Sequence, residues 1–380
     1  MLEKYGHGGD LLTAAELFGV KEGEGAFIDF SANINPLGPP PGVLEVLRQH
    51  GLAAVTAYPD PGHRRFKQLL AEQLDVDSSQ ITVANGAAES MALLLLALAP
   101  QKVGIVEPCF SEYRQLAEQF GAEVLSVHGT AEQSFRAEAG AICGLLEQVD
   151  LLFLGQPNNP NGVQYSLAEL RLLAQHAEAC GTCLAVDEAF IDFIEEEQRQ
   201  SLLPELTRYP QVVLVRSMTK FYAIPGLRLG FTLARPELAA AMTGKQVTWS
   251  VNGLALLAGE ACLRSGPEYE RATREGIAAA RALLRQGLLA LGCDVPPGEA
   301  NFLLCGLPAP WGAAQMQEAL GRTGLLVRSC AMYPGLGPGH IRVAVKGRAD
   351  NALLLLRMEE LMRAGPSRKG RARCGGLREK

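Results

Sequence analysis

The sequence has no apolar run long enough to cross a bilayer. Its longest, Met91 to Pro100, is about half of the roughly 20 residues that a spanning helix needs. It has no basic and then apolar leader, so an untargeted, cytoplasmic protein with no membrane partner is expected. A formal net charge of −6 over 380 residues gives no reason to expect nucleic acid or an anionic surface as partner. Small molecules are expected instead. The nine cysteines form no paired framework; most stand singly in apolar runs, where a thiol packs as a small hydrophobe, as suits a reducing compartment. Cys180 and Cys183 make the one Cys-x-x-Cys pair. No second pair stands at zinc spacing, so no metal is expected.

What is present is apolar content, 48% of residues and spread along the whole length, enough to bury one large core and a smaller one. From residue 81, short β-branched segments at 81–85, 103–106, 124–127, 151–154, 184–186, 212–215 and 231–233 alternate with helix-period stretches. That alternation, with strands apolar at nearly every position, predicts an α/β fold with a mostly parallel sheet covered on both faces. A helical stretch from 268 to 291 leads into a smaller α+β unit with strands near 302–304, 325–327 and 341–345. The expected organisation is an N-terminal arm at 1–41 that joins the small domain, a large domain at 42–265 and a small domain at 266–363. The basic tail at 364–380 has almost no apolar side chains and is expected to be disordered.

The polar residues that stand out follow strand ends: Asn159 after 151–154, Asp187 after 184–186, and Ser217 and Lys220 after 212–215. Ligands of open parallel sheets bind at the carboxyl ends of strands, so these distant segments converge on one crevice. A lysine in a partly apolar site is a usable amine nucleophile, and an aspartate ending a strand can keep a pyridinium nitrogen protonated. An anionic phosphate suits the small residues of Asn85-Gly-Ala-Ala-Glu89 opening a helix, with Ser217 and Arg228 beside them. Phe110, after the strand at 103–106, can stack on a ring. Singly, each has a plainer reading as a solvated lysine, a helix cap or a turn. Their combination is what points to a pyridoxal phosphate site.

Ser217-Met-Thr-Lys220 with Gly226-Leu-Arg-Leu-Gly230, Pro157-Asn-Asn-Pro-Asn-Gly162 and Asp187-Glu-Ala-Phe190 closely resemble the signatures of class I/II aminotransferases, in the same order and at similar intervals. The resemblance implies the large and small domains of the type I pyridoxal-phosphate fold. It makes Lys220 the Schiff-base lysine, Asp187 the partner of the pyridine nitrogen and Asn159 the partner of the ring oxygen. It places the cofactor phosphate at Gly86, Ala87, Ser217, Thr219 and Arg228. Tyr58, in Tyr58-Pro-Asp60, resembles the tyrosine that this family lends across a homodimer interface.

Within the family, His7-Gly-Gly-Asp10, the stretch Asp29-Phe-Ser-Ala-Asn-Ile-Asn-Pro-Leu-Gly38 and Phe221-Tyr-Ala-Ile-Pro-Gly-Leu227 resemble the threonine-phosphate decarboxylases of cobalamin biosynthesis. Histidinol-phosphate aminotransferases come next. Phe190 stands where aminotransferases commonly carry a tyrosine, a difference that the decarboxylase branch shares. The resemblance implies a small phosphorylated amino acid as substrate, held by His7, Gly8, Asn33 and Asn159. Arg328 and Arg342 add two guanidinium forks suited to a doubly anionic molecule. The implied activity is decarboxylation of O-phospho-L-threonine, with a histidinol-phosphate type of transamination, or a preference for O-phospho-L-serine, as alternatives.

Overall fold

A computed structural model describes residues 8–19 and 27–366. His7 and nearly all of the basic tail therefore lie outside the described residues. The first strand, β1 (Ile28–Asp29), belongs to the N-terminal arm. A seven-stranded sheet follows: β2 (Ile81–Ala84), β3 (Lys102–Glu107), β4 (Glu123–His128), β5 (Leu151–Gly155), β6 (Cys183–Asp187), β7 (Val212–Ser217) and β8 (Gly230–Leu233). Its spatial order is β2-β8-β7-β6-β5-β3-β4. Only β8 runs antiparallel to its neighbours, so the sheet is mostly parallel and the fold is α/β, as expected. β5, β6 and β7 are buried at every position because helices cover both faces, which is why they read as near-continuous apolar runs.

Local chemistry starts and stops the helices. Leu167–Cys180 opens on a capping box, Ser166 and Glu169 each satisfying a free backbone N–H of the other, and ends on Gly181 at φ 71°. Cys180 thus closes that helix and Cys183 opens β6. Burial pushes the Cys183 thiol up to about 12, so it packs as a hydrophobe.

Beyond the long helix Gly266–Ala290 lie β9 (Phe302–Gly306), β10 (Leu325–Leu326), β11 (Arg328–Ser329) and β12 (His340–Ala344). β11, β12 and β9 form an antiparallel sheet, and β10 pairs in parallel with β1 of the arm. Phe30, just past β1, donates its N–H to Leu326 O at 2.7 Å and accepts from Ala344 N at 2.9 Å, so the arm bridges the two small sheets. The smaller unit shares most of its buried side chains with the large one, besides a small cluster of its own in which Leu304, Cys330, Tyr333 and Leu336 pack with Phe135. One apolar cluster runs from Val186 and Leu214 on one face of the large sheet to Ile277, Phe302 and Val343, while a second fills the other face around Met91, Phe153 and Val213. Composition predicts a large core and a smaller one; the two larger clusters divide along the faces of the sheet, and the small third one lies mostly in the smaller unit. No described helix is long and apolar enough to cross a membrane.

Candidate active site

Because six of the seven strands are parallel, the carboxyl ends of β2, β3, β5, β6 and β7 share one rim, and β8 begins there. A cavity of about 530 Å³ opens at this rim, against the small antiparallel sheet and the arm. Lys220, Asp187, Asn159, Phe110, Arg328 and Arg342 all line it. So do Gly8, Asn33, Ala87, Ser217, Thr219 and Arg228.

Lys220 sits in the short helix Met218–Phe221 that β7 runs into. Burial, then the guanidiniums of Arg228 and Arg342, lower its pKa to about 8, although Glu112 and Asp187 pull the other way. A neutral amine is what a nucleophile needs. In the apoprotein, covalent capture of added pyridoxal phosphate is therefore expected to speed up about tenfold per pH unit below about 8 and to level off above it. A stopped-flow absorbance titration checks this; a rate still climbing above pH 9 would show an ordinary, solvated lysine.

Asp187 ends β6 and is pushed the other way, up to about 6, chiefly by burial. Tyr113 Oη donates to its Oδ2 at 2.6 Å and Ala189 N donates to its Oδ1 at 3.0 Å, both opposing the shift. Asn159 accepts from Arg342 Nη1 on its Oδ1 at 2.6 Å, and no described residue accepts from its Nδ2. Arg342 also donates from Nη2 to Ser31 O at 2.7 Å, and its guanidinium carbon lies 5.4 Å from the ring centre of Phe302. Phe190 meets the same Phe302 edge-on at 5.0 Å. Arg342 and Arg328 are register partners on β12 and β11. Asn33 is buried and its Oδ1 has no hydrogen-bond partner.

A phosphate cradle lies where β2, β7 and β8 meet. Gly86 is the N-cap of helix Ala87–Leu98, with Ala87 and Ala88 N–H in the unsatisfied first turn facing the cavity. Ser217 and Thr219 place their hydroxyls 2.8 Å apart. Arg228 sits in the left-handed region at φ 56°, its guanidinium against the Gly86 turn. A Cβ at Gly86 would lie 2.7 Å from Arg228 Nη2, and φ 85° with ψ 167° is backbone that glycine alone adopts readily. Gly86→Ala is expected to lower stability by about 1–3 kcal/mol in urea unfolding and to weaken cofactor retention on dialysis. Unchanged retention would place the phosphate elsewhere.

These residues fit pyridoxal phosphate: two hydroxyls, a helix N-terminus and a guanidinium for its phosphate, a buried carboxylate, and an amine of lowered pKa. The sequence profile described as aminotransferase class I and II matches residues 26–357. The chain belongs to that family. Pyridoxal 5'-phosphate is the cofactor of these enzymes, and this is such an enzyme. Threonine-phosphate decarboxylase of Salmonella typhimurium is 36% identical over 94% of this chain and 96% of its own. Histidinol-phosphate aminotransferase of Symbiobacterium thermophilum is 37% identical over 84% and 86%. The solved histidinol-phosphate aminotransferase of Sinorhizobium meliloti, in complex with pyridoxal-5'-phosphate, superposes with a TM-score of 0.83 over 93% of this chain and 95% of that one; at 21% identity it speaks for the fold.

Tyr58 is the site residue that the structure does not bring to the cavity of its own chain. It is 80% exposed and stacks on Trp249 at 4.4 Å between ring centres. Sequence reasoning missed Tyr113, Ser31 and Tyr333, which stand at or on the cavity. For Tyr113 a signal existed: it lies one helical turn past Phe110, at the same strand end.

Proposed function

We propose that this enzyme decarboxylates O-phospho-L-threonine to (R)-1-aminopropan-2-yl phosphate for cobalamin biosynthesis, in the cytoplasm. The observation that carries the reading is the buried pair Arg328 and Arg342 on adjacent strands, lining the same cavity as the lysine, two cations for a substrate with two anionic groups. Similarity along 94% of the chain to a threonine-phosphate decarboxylase supports it.

Pyridoxal phosphate, when bound, supplies an electron sink joined to the substrate amine. The chain does the rest. Asp187 holds the ring nitrogen's proton, and Asn159 Nδ2 is the donor left for the ring oxygen. Ser217, Thr219, Arg228 and the backbone at Gly86 and Ala87 hold the cofactor phosphate, while Phe110 covers the ring. Arg342, with Asn159, would take the substrate carboxylate and so fix its orientation; Arg328, Asn33, Gly8 and His7 would take the substrate phosphate. Lys220 is the one lysine lining the cavity among the described residues and is placed to return a proton to Cα. Phe190 offers no hydroxyl to the ring oxygen, which leaves that contact to Asn159.

The proposed assembly is a homodimer. Leu52, Val55, Tyr58 and Val247 are each at least 66% exposed, an apolar surface suited to a second copy, across which Tyr58 reaches the other cofactor phosphate.

The test is to add O-phospho-L-threonine to the holoenzyme without a keto acid and to measure carbon dioxide while recording the cofactor spectrum. Catalytic carbon dioxide release with the starting spectrum restored is expected. Conversion to the pyridoxamine form without carbon dioxide would make it an aminotransferase, the reading favoured by the relative from Symbiobacterium thermophilum. Faster release from O-phospho-L-serine would reassign the substrate, which one methyl separates by only about 1–3 kcal/mol.

A further inference from the structure

Tyr113 stands on the first turn of the helix Glu112–Gln119 and is 2% exposed. Its ring stacks on Phe153 at 5.1 Å between centres and meets Phe110 edge-on at 5.7 Å. Nothing in that apolar packing requires a hydroxyl. Yet a buried phenol must find an acceptor, and here it is Asp187 Oδ2 at 2.6 Å. The second carboxylate oxygen takes Ala189 N–H at 3.0 Å. Two donors, one on each oxygen, fix the plane of the carboxylate and leave its remaining lone pairs for the cavity.

The charge of Asp187 is the difficulty. Burial raises its pKa to about 6, and the carboxylates of Glu112 and Glu188 push in the same direction. Glu188 is committed to Arg216 at 2.7 Å, and Lys220, in the short helix after β7, is a cation whose charge acts on Asp187. Besides that cation, two neutral donors oppose the shift; the Ala189 amide is common to any sequence, and Tyr113 is the side chain. The phenol is a permanent donor. Burial, then Asp187, Cys109 and Glu112, hold its own pKa well above the ordinary value, so it keeps its proton throughout the working range.

We propose that Tyr113 is a positioning residue that keeps Asp187 an oriented carboxylate, so that the proton Asp187 shares with the cofactor's ring nitrogen rests on the nitrogen. This rests on the pairing of Asp187 with that nitrogen in the proposed function, and adds the residue that sets its strength. Without the hydroxyl, Asp187 is the stronger base; the proton shifts toward it and the ring becomes a weaker electron sink.

The experiment loads native, Tyr113→Phe and Asp187→Asn proteins with pyridoxal phosphate carrying nitrogen-15 in the ring. The nitrogen shift is followed across pH, with kcat and KM measured on the same samples. Tyr113→Phe keeps both ring contacts, so a merely structural tyrosine leaves the nitrogen signal where it was. The native signal is expected to stay at the protonated position. In Tyr113→Phe it moves toward neutral pyridine, with kcat about tenfold lower and KM within about twofold. If Asp187→Asn moves the signal and Tyr113→Phe does not, the role of Tyr113 is overturned while that of Asp187 stands. If Asp187→Asn also leaves it unmoved, the pairing falls and this proposal with it. One further reading needs no variant: the Tyr113 phenol carbon of the native holoenzyme, labelled with carbon-13, should give the signal of a neutral phenol at every pH, and a phenolate signal would overturn the proposal.

Discussion

Lys220→Ala is expected to release carbon dioxide from O-phospho-L-threonine at least about 10³-fold more slowly than the native chain, the scale on which loss of one member of a nucleophilic unit acts. The cavity offers no second lysine among the described residues, and the pKa of about 8 belongs to this position because burial, and then the charges of Arg228 and Arg342, lower it. The substitution should leave the fold intact. The backbone contact of residue 220, its carbonyl accepting from Asn35 N at 3.1 Å, does not involve the side chain, and the neighbours that hold the short helix, Met218 and Phe221, stay in the core. Removing a buried cation can even raise the urea midpoint of the apoprotein. Borohydride reduction followed by peptide mass spectrometry should find the cofactor on Lys220 in the native chain and nowhere in the variant. Turnover within about tenfold of native would remove the covalent assignment.

Arg342→Lys is the second large effect, with kcat/KM expected to fall about 10²-fold or more although the charge is kept. Lysine lacks the planar fork that here spans Asn159 Oδ1 at 2.6 Å and Ser31 O at 2.7 Å and still has Nε unpaired in the protein. Each bond from a charged group is worth about 1.5–3 kcal/mol, and the variant loses at least one such bond together with the aim of Asn159. Part of the loss is therefore indirect: Asn159, freed from Arg342, no longer points its Nδ2 at one place. Steady-state kinetics with O-phospho-L-threonine checks this. A variant that loses only KM would make Arg342 a plain binding group, whereas a fall in kcat as well marks the orientation of the carboxylate, which decides whether carbon dioxide or a proton leaves Cα.

How much of this was legible depends on how local the signal is. The strands at Leu151–Gly155, Cys183–Asp187 and Val212–Ser217 were readable because both of their faces are buried and their first four positions are apolar. The glycine at 86 was readable as a turn before a helix, and the structure adds why alanine is costly there: the backbone stands at φ 85°, and Arg228, 142 positions later, lies against it. Tyr113 was passed over because its partner is 74 residues away on another strand. The link between Asn159 and Arg342 spans 183 residues and crosses from the large sheet to the small one. No spacing rule reaches that far.

The sequence by itself determined the strand and helix pattern, the order of the lysine, aspartate and asparagine motifs, and the cofactor they call for, because periodicity and motif chemistry act over a few residues. The tertiary structure decided which strands are neighbours. The order β6-β5-β3 lets Tyr113, in the helix after β3, reach Asp187 at the end of β6, and the β11–β12 pairing sets Arg328 beside Arg342. Those contacts fix the pKa values, since desolvation and nearby charge are properties of the assembled cavity and of no single segment.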